Sequence, residues 1–263
     1  MPEFRLTTEP TPAVIDRICG LAHAALAAYA PHPHEAAERI AKEHPYVQIV
    51  RAGRYSAFVG WDNEETVVAF RGNDEERQWV EAMSYEQVVW FEGRAHRGLV
   101  KALDGLWQGL LAALFDAQAL ENPLYLTGHS LGGCLAMLAG QRLHAEGWSP
   151  SGVVTFGAPP VLDPLAADAY PVPSIRVVNN EDAIPGVCWP AMLDSYRHAG
   201  REWFLLASGR IGEARHGHGL ARRIDRAWSI GDGPLSAGPL HDHRMERYVE
   251  KLDRLAASSA TTA

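Results

Sequence analysis

Apolar and polar positions along the chain change period several times, and each change predicts a change of element. In "AVIDRICGLAHAALAAYA" the residues Val14, Ile15, Ile18, Leu21, Ala22 and Ala25 share one face of a helix that follows Pro10 and Pro12. "YVQIVRAGRYSAFVGWDNEETVVAFRG" reads as three strands, with turns at Ala52-Gly53 and Asp62-Asn63 that predict antiparallel pairing. "RQWVEAMSYEQVVWF" is apolar but follows neither period cleanly. In "RGLVKALDGLWQGLLAALFDAQAL", Leu99, Leu103, Leu106, Leu110 and Leu114 recur at steps of three and four, the clearest amphipathic helix in the chain.

Beyond Asn122-Pro123 the pattern alternates. "LYLTG" is a strand, 131–146 a helix, "GVVTFG" a strand and "SIRVVNN" another, with "REWFLLAS" as the expected last strand. Strands alternating with helices imply parallel pairing and right-handed crossovers, so the expected architecture is α/β. The stretch 209–239 is rich in Gly and polar residues, with Leu220, Ile224 and Trp228 spaced for one short helix. "MERYVEKLDRL" closes the chain as a helix. Neither a repeat nor a linker interrupts the sequence, so residues 1–263 are expected to form one domain. Residues 1–12 and 256–263 are expected to be loosely ordered.

Composition narrows the function classes. With 263 residues the chain can bury a substantial core, and 47% hydrophobic with 21% charged residues is ordinary for a globular protein. A formal charge of -8 argues against a nucleic-acid partner, because no basic field exists to displace phosphate counterions. The short basic run "RHGHGLARR" reads as a solvated face. Cys19, Cys134 and Cys188 cannot all pair and follow no metal-ligand spacing, which points to reduced thiols in a cytoplasmic compartment. "MPEFRLTTEP" lacks the basic end and apolar stretch of a secretory signal, and no apolar run of membrane-spanning length is evident, the 13–30 segment being broken by Asp16, Arg17 and His23.

Chemistry concentrates at "LYLTGHSLGGCLAML", residues 124–138, where Ser130 stands between Gly128 and Gly132 with a strand leading in and a helix leading out. A sharp strand-to-helix turn of this kind lifts a serine hydroxyl clear of the sheet, and a Cβ at either glycine would strike the neighbouring element. The amide of Leu131, at the helix N-terminus, then points toward a developing oxyanion. No Lys follows the glycines, which disfavours a phosphate-binding loop.

A serine nucleophile needs an imidazole to accept its proton and an acid to orient that imidazole. In this type of fold the order is Ser, acid, His, with the acid beyond the carboxyl end of a later strand. Glu181 and Asp182 follow strand 175–178, and Asp182, directly before the apolar "AIP", is the better placed. Asp163 is a rival that is expected to lie in a surface loop, and Asp194 a weaker one. For the base, His241 and His243 precede the terminal helix, whereas His216 and His218 fall in a glycine-rich loop. No third ligand accompanies either His-x-His pair, so neither a metal nor any other cofactor is expected.

Taken together, these segments resemble the class 3 lipase family, the fungal-lipase-like branch of the α/β hydrolases. "VVAFRGN", "AHRGLVKAL", "LTGHSLGG", "VTFGAPPV", "RVVNNEDAIP", "YRHAGREWFLL" and "DHRMERYVEKL" are similar to that family's motifs in order, from about residue 44 to 252. The resemblance implies an α/β-hydrolase fold, with a mostly parallel mixed sheet, an antiparallel N-terminal part and helices on both faces. It also implies a serine carboxylester hydrolase in which Ser130 attacks, His243 rather than His241 moves the proton and Asp182 orients it. The oxyanion hole would use the amides of Leu131 and Asn73, Asn73 standing where the family carries Ser or Thr. Residues 73–92 correspond to the segment that folds over the site as a lid, although its Trp79, Val80, Met83, Val88, Val89, Trp90 and Phe91 suit core packing equally. His96 and His198 fall in family motifs without a chemical role and are expected to pack. Cys134 is expected to be buried one turn after Ser130. The implied partners are a small-molecule or lipid ester and, transiently, a lipid interface. Two further readings stand beside it: a lipase-like scaffold that binds an acyl ligand or a protein without turnover, and an acyltransferase using the same triad.

Overall fold

The computed structural model describes residues 6–72, 86–119, 121–186, 195–212 and 241–260. Among them the order is α1 (Pro12–Ala27), α2 (Pro33–Ile40), β1 (Tyr46–Ala52), β2 (Tyr55–Trp61), β3 (Thr66–Phe70), β4 (Gln87–Trp90), β5 (Gly93–His96) and α3 (Arg97–Asp116). Then come β6 (Leu124–His129), α4 (Leu131–Ala145), β7 (Gly152–Phe156), α5 (Pro164–Asp168), β8 (Ser174–Asn179), β9 (Arg201–Leu205), β10 (Ile211–Gly212) and α6 (Met245–Ala260).

One eight-stranded sheet runs β1-β2-β3-β6-β7-β8-β9-β10. The first three strands pair antiparallel, β3 to β9 pair parallel, and β10 turns back on β9. The period-two alternation of strand side chains separates two cores. Ala57, Val59, Val68, Phe70, Leu124 and Leu126 face α3 and α4. Phe58, Val67, Ala69, Tyr125, Val154 and Phe156 face α1 and α6 on the other side. Helices therefore cover both faces of a mostly parallel sheet, as the sequence resemblance implies.

The first helix forms where its periodicity predicts. Thr11 caps it by accepting from the Val14 amide, and Pro12 sits where a missing N–H costs nothing. The apolar stripe of α3 is buried, and its Lys101, Asp104 and Gln108 are exposed. Each buried leucine there contributes about 2 kcal/mol. Contrary to expectation, α3 is long and apolar enough to cross a membrane. Its leucine face is instead packed against the sheet, so the apolar content is that of a core helix.

Four further differences have physical causes. Residues 6–11 are tied down: Leu6 is buried, its amide donates to Ser151 O, and Trp203 Nε1 donates to Thr8 O. The C-terminal helix continues through Ala256 to Ala260, with Ser258 and Ser259 bonding back to the carbonyls of Leu255 and Ala256. Helix α2 and strand β10 are additions, and β10 rather than β9 is the outer strand. The helix expected around Leu220, Ile224 and Trp228 lies outside the described residues.

Candidate active site

Parallel register brings the working loops together. Phe70 lies opposite Gly128, His129 opposite Phe156, and Phe156 opposite Val177, so the carboxyl ends of β3, β6, β7 and β8 stand side by side. The turns that leave them carry Arg71, Ser130, Gly157 and Asp182.

Ser130 connects β6 to α4 with φ 55° and ψ -123°, a left-handed backbone that a residue with a Cβ rarely adopts. The turn is held because Ser130 N donates to Phe156 O at 2.9 Å, while Ser130 O accepts from Gly133 and Cys134. Both neighbouring glycines are required by space. A Cβ on Gly128 would lie 2.4 Å from Gly132 C, and one on Gly132 would lie 2.2 Å from Phe70 O. Leu131, as the first residue of α4, has no intrahelical acceptor for its amide.

Asp182 and His243 meet. His243 Nδ1 lies 2.9 Å from Asp182 Oδ2 and 3.0 Å from Oδ1, and both side chains are wholly buried. The carboxylate also accepts from the Ile184 amide at 2.9 Å and from the Tyr248 hydroxyl. A carboxylate accepting this many hydrogen bonds is fixed in position, and Nδ1–H is the tautomer that donates to it. That leaves Nε2 of His243 as the nitrogen able to take a proton. Glu181 is exposed, and His241 is exposed beside Arg247.

The hydroxyl-bearing turn adjoins this pair. A Cβ on Gly157, which follows Phe156, would lie 2.8 Å from Asp182 Oδ2 and 3.0 Å from His243 Nδ1. The ring of His129, the residue before Ser130, lies 4.4 Å from the His243 ring between centroids. Ser130 Oγ itself is fully buried and makes no hydrogen bond among the described residues. The acid and base are joined, and the hydroxyl is adjacent but not linked to the imidazole.

Three residues that sequence reasoning passed over, Asp242, Tyr248 and His129, hold the arrangement. Asp242 bridges the two loops: its Oδ2 accepts from Asn180 Nδ2 at 2.8 Å and from the Glu181 amide at 3.1 Å, and its carbonyl accepts from Asn179 Nδ2 at 2.8 Å. Tyr248 receives the Asn179 amide on the hydroxyl that it donates to Asp182. His129 donates Nε2–H to the carbonyl of His243 at 2.6 Å, and its Nδ1 accepts from Tyr29 OH at 2.8 Å. Burial, helped by the neighbouring His243, holds His129 well below the usual imidazole range, so its ring is neutral. Only the order His-Ser and the His-Asp-His run were visible beforehand; neither signals a contact between remote segments.

The rival residues have structural roles. Asp163 is buried, not in a surface loop, and caps α5 by accepting from the Ala166 amide at 2.8 Å. His96 caps α3 through the Leu99 amide. His198 donates Nε2–H to Pro185 O at 2.8 Å, and burial pushes its pKa down to about 3. Cys134 is buried with its Sγ directed at Pro159 O, and Cys19 and Cys134 are free thiols. Asn73, Asp194, Cys188, His216 and His218 lie outside the described residues, as does 73–85 of the lid segment. The remainder of that segment begins the β4–β5 hairpin, in which Trp90 is buried with Nε1 donating to Gln141, and Val89 is 77% and Phe91 44% exposed.

Sheet order, crossovers and the strained serine between β6 and α4 define the α/β-hydrolase fold. Within that class, residues 67–191 match the model of the family described as Lipase (class 3). A lipase of Rhizomucor miehei is 31% identical over 158 residues, 55% of this chain and 43% of that protein. Secreted mono- and diacylglycerol lipase 1 of Fusarium solani is 30% identical over 161 residues, 57% of this chain and 47% of that protein. The chain thus spans less than half the length of these curated relatives. Among solved structures, native Rhizomucor miehei lipase in its propeptide complex superposes with a TM-score of 0.67 at 23% identity, covering 91% of this chain and 83% of that one. A mutant form of MDLA from Penicillium cyclopium gives 0.69 at 18% identity, covering 89% and 96%. These likenesses show the fold.

Proposed function

We propose that the chain hydrolyses carboxylic esters of lipid-like substrates through an acyl-enzyme. The observation that carries this reading is the buried Asp182–His243 pair seated against the strained turn of Ser130. In the reaction His243 Nε2 takes the hydroxyl proton as Ser130 Oγ attacks the ester carbonyl. The amide of Leu131, with that of Asn73, receives the oxyanion, and the imidazolium returns its proton to the leaving alcohol. Water, activated by the same imidazole, then releases the acid. The Asp182 carboxylate stabilises the imidazolium and keeps Nδ1 protonated throughout. The chemistry assigned to these residues calls for no metal or organic cofactor.

Attack requires a hydrogen bond from Ser130 Oγ to His243, formed as substrate enters. Because Ser130 and His243 have no solvent exposure, entry also requires a local opening. The exposed Val89 and Phe91 offer a surface for an ester-water interface, which suits lipid-like esters. The free thiols of Cys19 and Cys134 suit a reducing, cytoplasmic setting.

The missing hydroxyl-imidazole link favours one second reading, a scaffold that holds an acyl ligand without turnover. A fluorophosphonate probe separates the two. We expect stoichiometric labelling at Ser130, with both labelling and turnover of a p-nitrophenyl ester abolished in S130A and H243A. An unlabelled wild-type chain, or turnover surviving in S130A, would exclude the hydrolase.

A further inference from the structure

On the face of the sheet occupied by α1 and α6, away from the serine, the seam between the two helices carries a second cluster. Cys19 and His23 stand four residues apart on α1, a spacing that sets both side chains on one face, one turn apart. Asp253 faces them from α6, one residue after the fully buried Leu252. Cys19 Sγ donates to Asp253 Oδ1 at 2.9 Å, and His23 Nε2 meets the same oxygen at 2.9 Å. One ligand atom from each residue lies within 4.8 Å of the other two.

We propose that Cys19, His23 and Asp253 form a three-ligand site for a divalent cation of the zinc class, which fastens α1 to α6. The donor set decides the class: a thiolate and an imidazole select zinc or cobalt, whereas calcium and magnesium require oxygen ligands. The geometry suits it as well. Bonds of about 2.0–2.3 Å to a tetrahedral zinc place its donors roughly 3.3–3.7 Å apart. The two 2.9 Å contacts therefore open slightly as the cation replaces the shared hydrogens.

The proton balance is simple. The thiol proton leaves to solvent, and the bound imidazole carries its hydrogen on Nδ1 and presents the Nε2 lone pair. One proton is released per ion. Water fills the fourth position, which the rim of the seam leaves accessible, the His23 and Asp253 side chains being 48% and 46% exposed. The sequence hid the site because its third ligand is 230 residues from His23.

Titration of the chelator-treated full chain with cobalt(II) tests the proposal. A near-ultraviolet thiolate-to-cobalt charge-transfer band should grow and saturate at one ion per chain, and zinc should displace it. C19S should abolish the band, and H23Q and D253N should each weaken binding by about ten-fold or more. Zinc should raise the unfolding temperature of the wild type and leave that of C19S unchanged. These positions are half-exposed and lie outside the proposed active site, so unaltered circular dichroism and ester turnover in the variants verify folding. Absence of a saturable band overturns the site. So does a band that persists in C19S, or cobalt affinity indifferent to D253N.

Discussion

At Ser130, function and stability pull in opposite directions. The backbone at φ 55° and ψ -123° costs about 1–3 kcal/mol for a residue with a Cβ, and it aims the hydroxyl. Glycine adopts the same angles without strain. S130G should therefore raise the unfolding temperature by about 2–4 °C while abolishing turnover, whereas S130A, which keeps its Cβ, should abolish turnover without that gain. Calorimetry of the two variants side by side checks this. The proposed nucleophile and acid were legible in the sequence because their chemistry and flanking residues constrain them locally, whereas His243 was chosen over His241 only by the family resemblance. Asp182 stands before an apolar run, and Ser130 stands between glycines that nothing larger can replace. Tyr248 and His129 were not legible, since a tyrosine on a helix and a histidine before a serine acquire their partners only through the fold.

Between elements, the decisive contact is the one Asp242 makes. It fastens the turn after β8 to the turn before α6, and these carry the proposed acid and base. D242N keeps the shape but replaces a charged acceptor with an amide. That should lower kcat by about ten- to a hundred-fold with little change in KM, as the imidazole loses its alignment. A fall in KM affinity with kcat intact would show instead that this loop binds substrate. The elements themselves were legible in proportion to their length. Helix α3 announces itself by five leucines, and β3, β6, β7 and β8 by continuous apolar runs. Helix α2 buries only Ala36 and Ile40 and starts at one of two prolines, so its period is too brief to read. Strand β10 has two residues and exists only as a partner of β9. Ser258 and Ser259 looked like a loose tail because serine favours turns, and here they bond back along the helix instead.

For the whole molecule, buried neutral imidazoles make stability depend on pH. His129 has its pKa depressed by burial, so below about pH 6.5 the unfolded chain takes up a proton that the native chain refuses. Stability contributed by this group is complete above that pH and falls as acid is added, by up to about 1.4 kcal/mol per pH unit. Urea unfolding between pH 7 and 5 should show the decline, and H129Q should flatten it; an unchanged slope would mean that His129 protonates freely in the native state. The α/β class was legible from alternation alone. What joins the two ends of the chain was not, because the packing of α1 on α6 leaves no periodic trace linking segments so far apart. That packing has a consequence for biosynthesis. Ser130 and Asp182 leave the ribosome well before His243, which stands directly before α6 and settles when that helix docks on α1. Under the proposed mechanism, a nascent polypeptide that has not yet delivered α6 has no seated base and is catalytically silent.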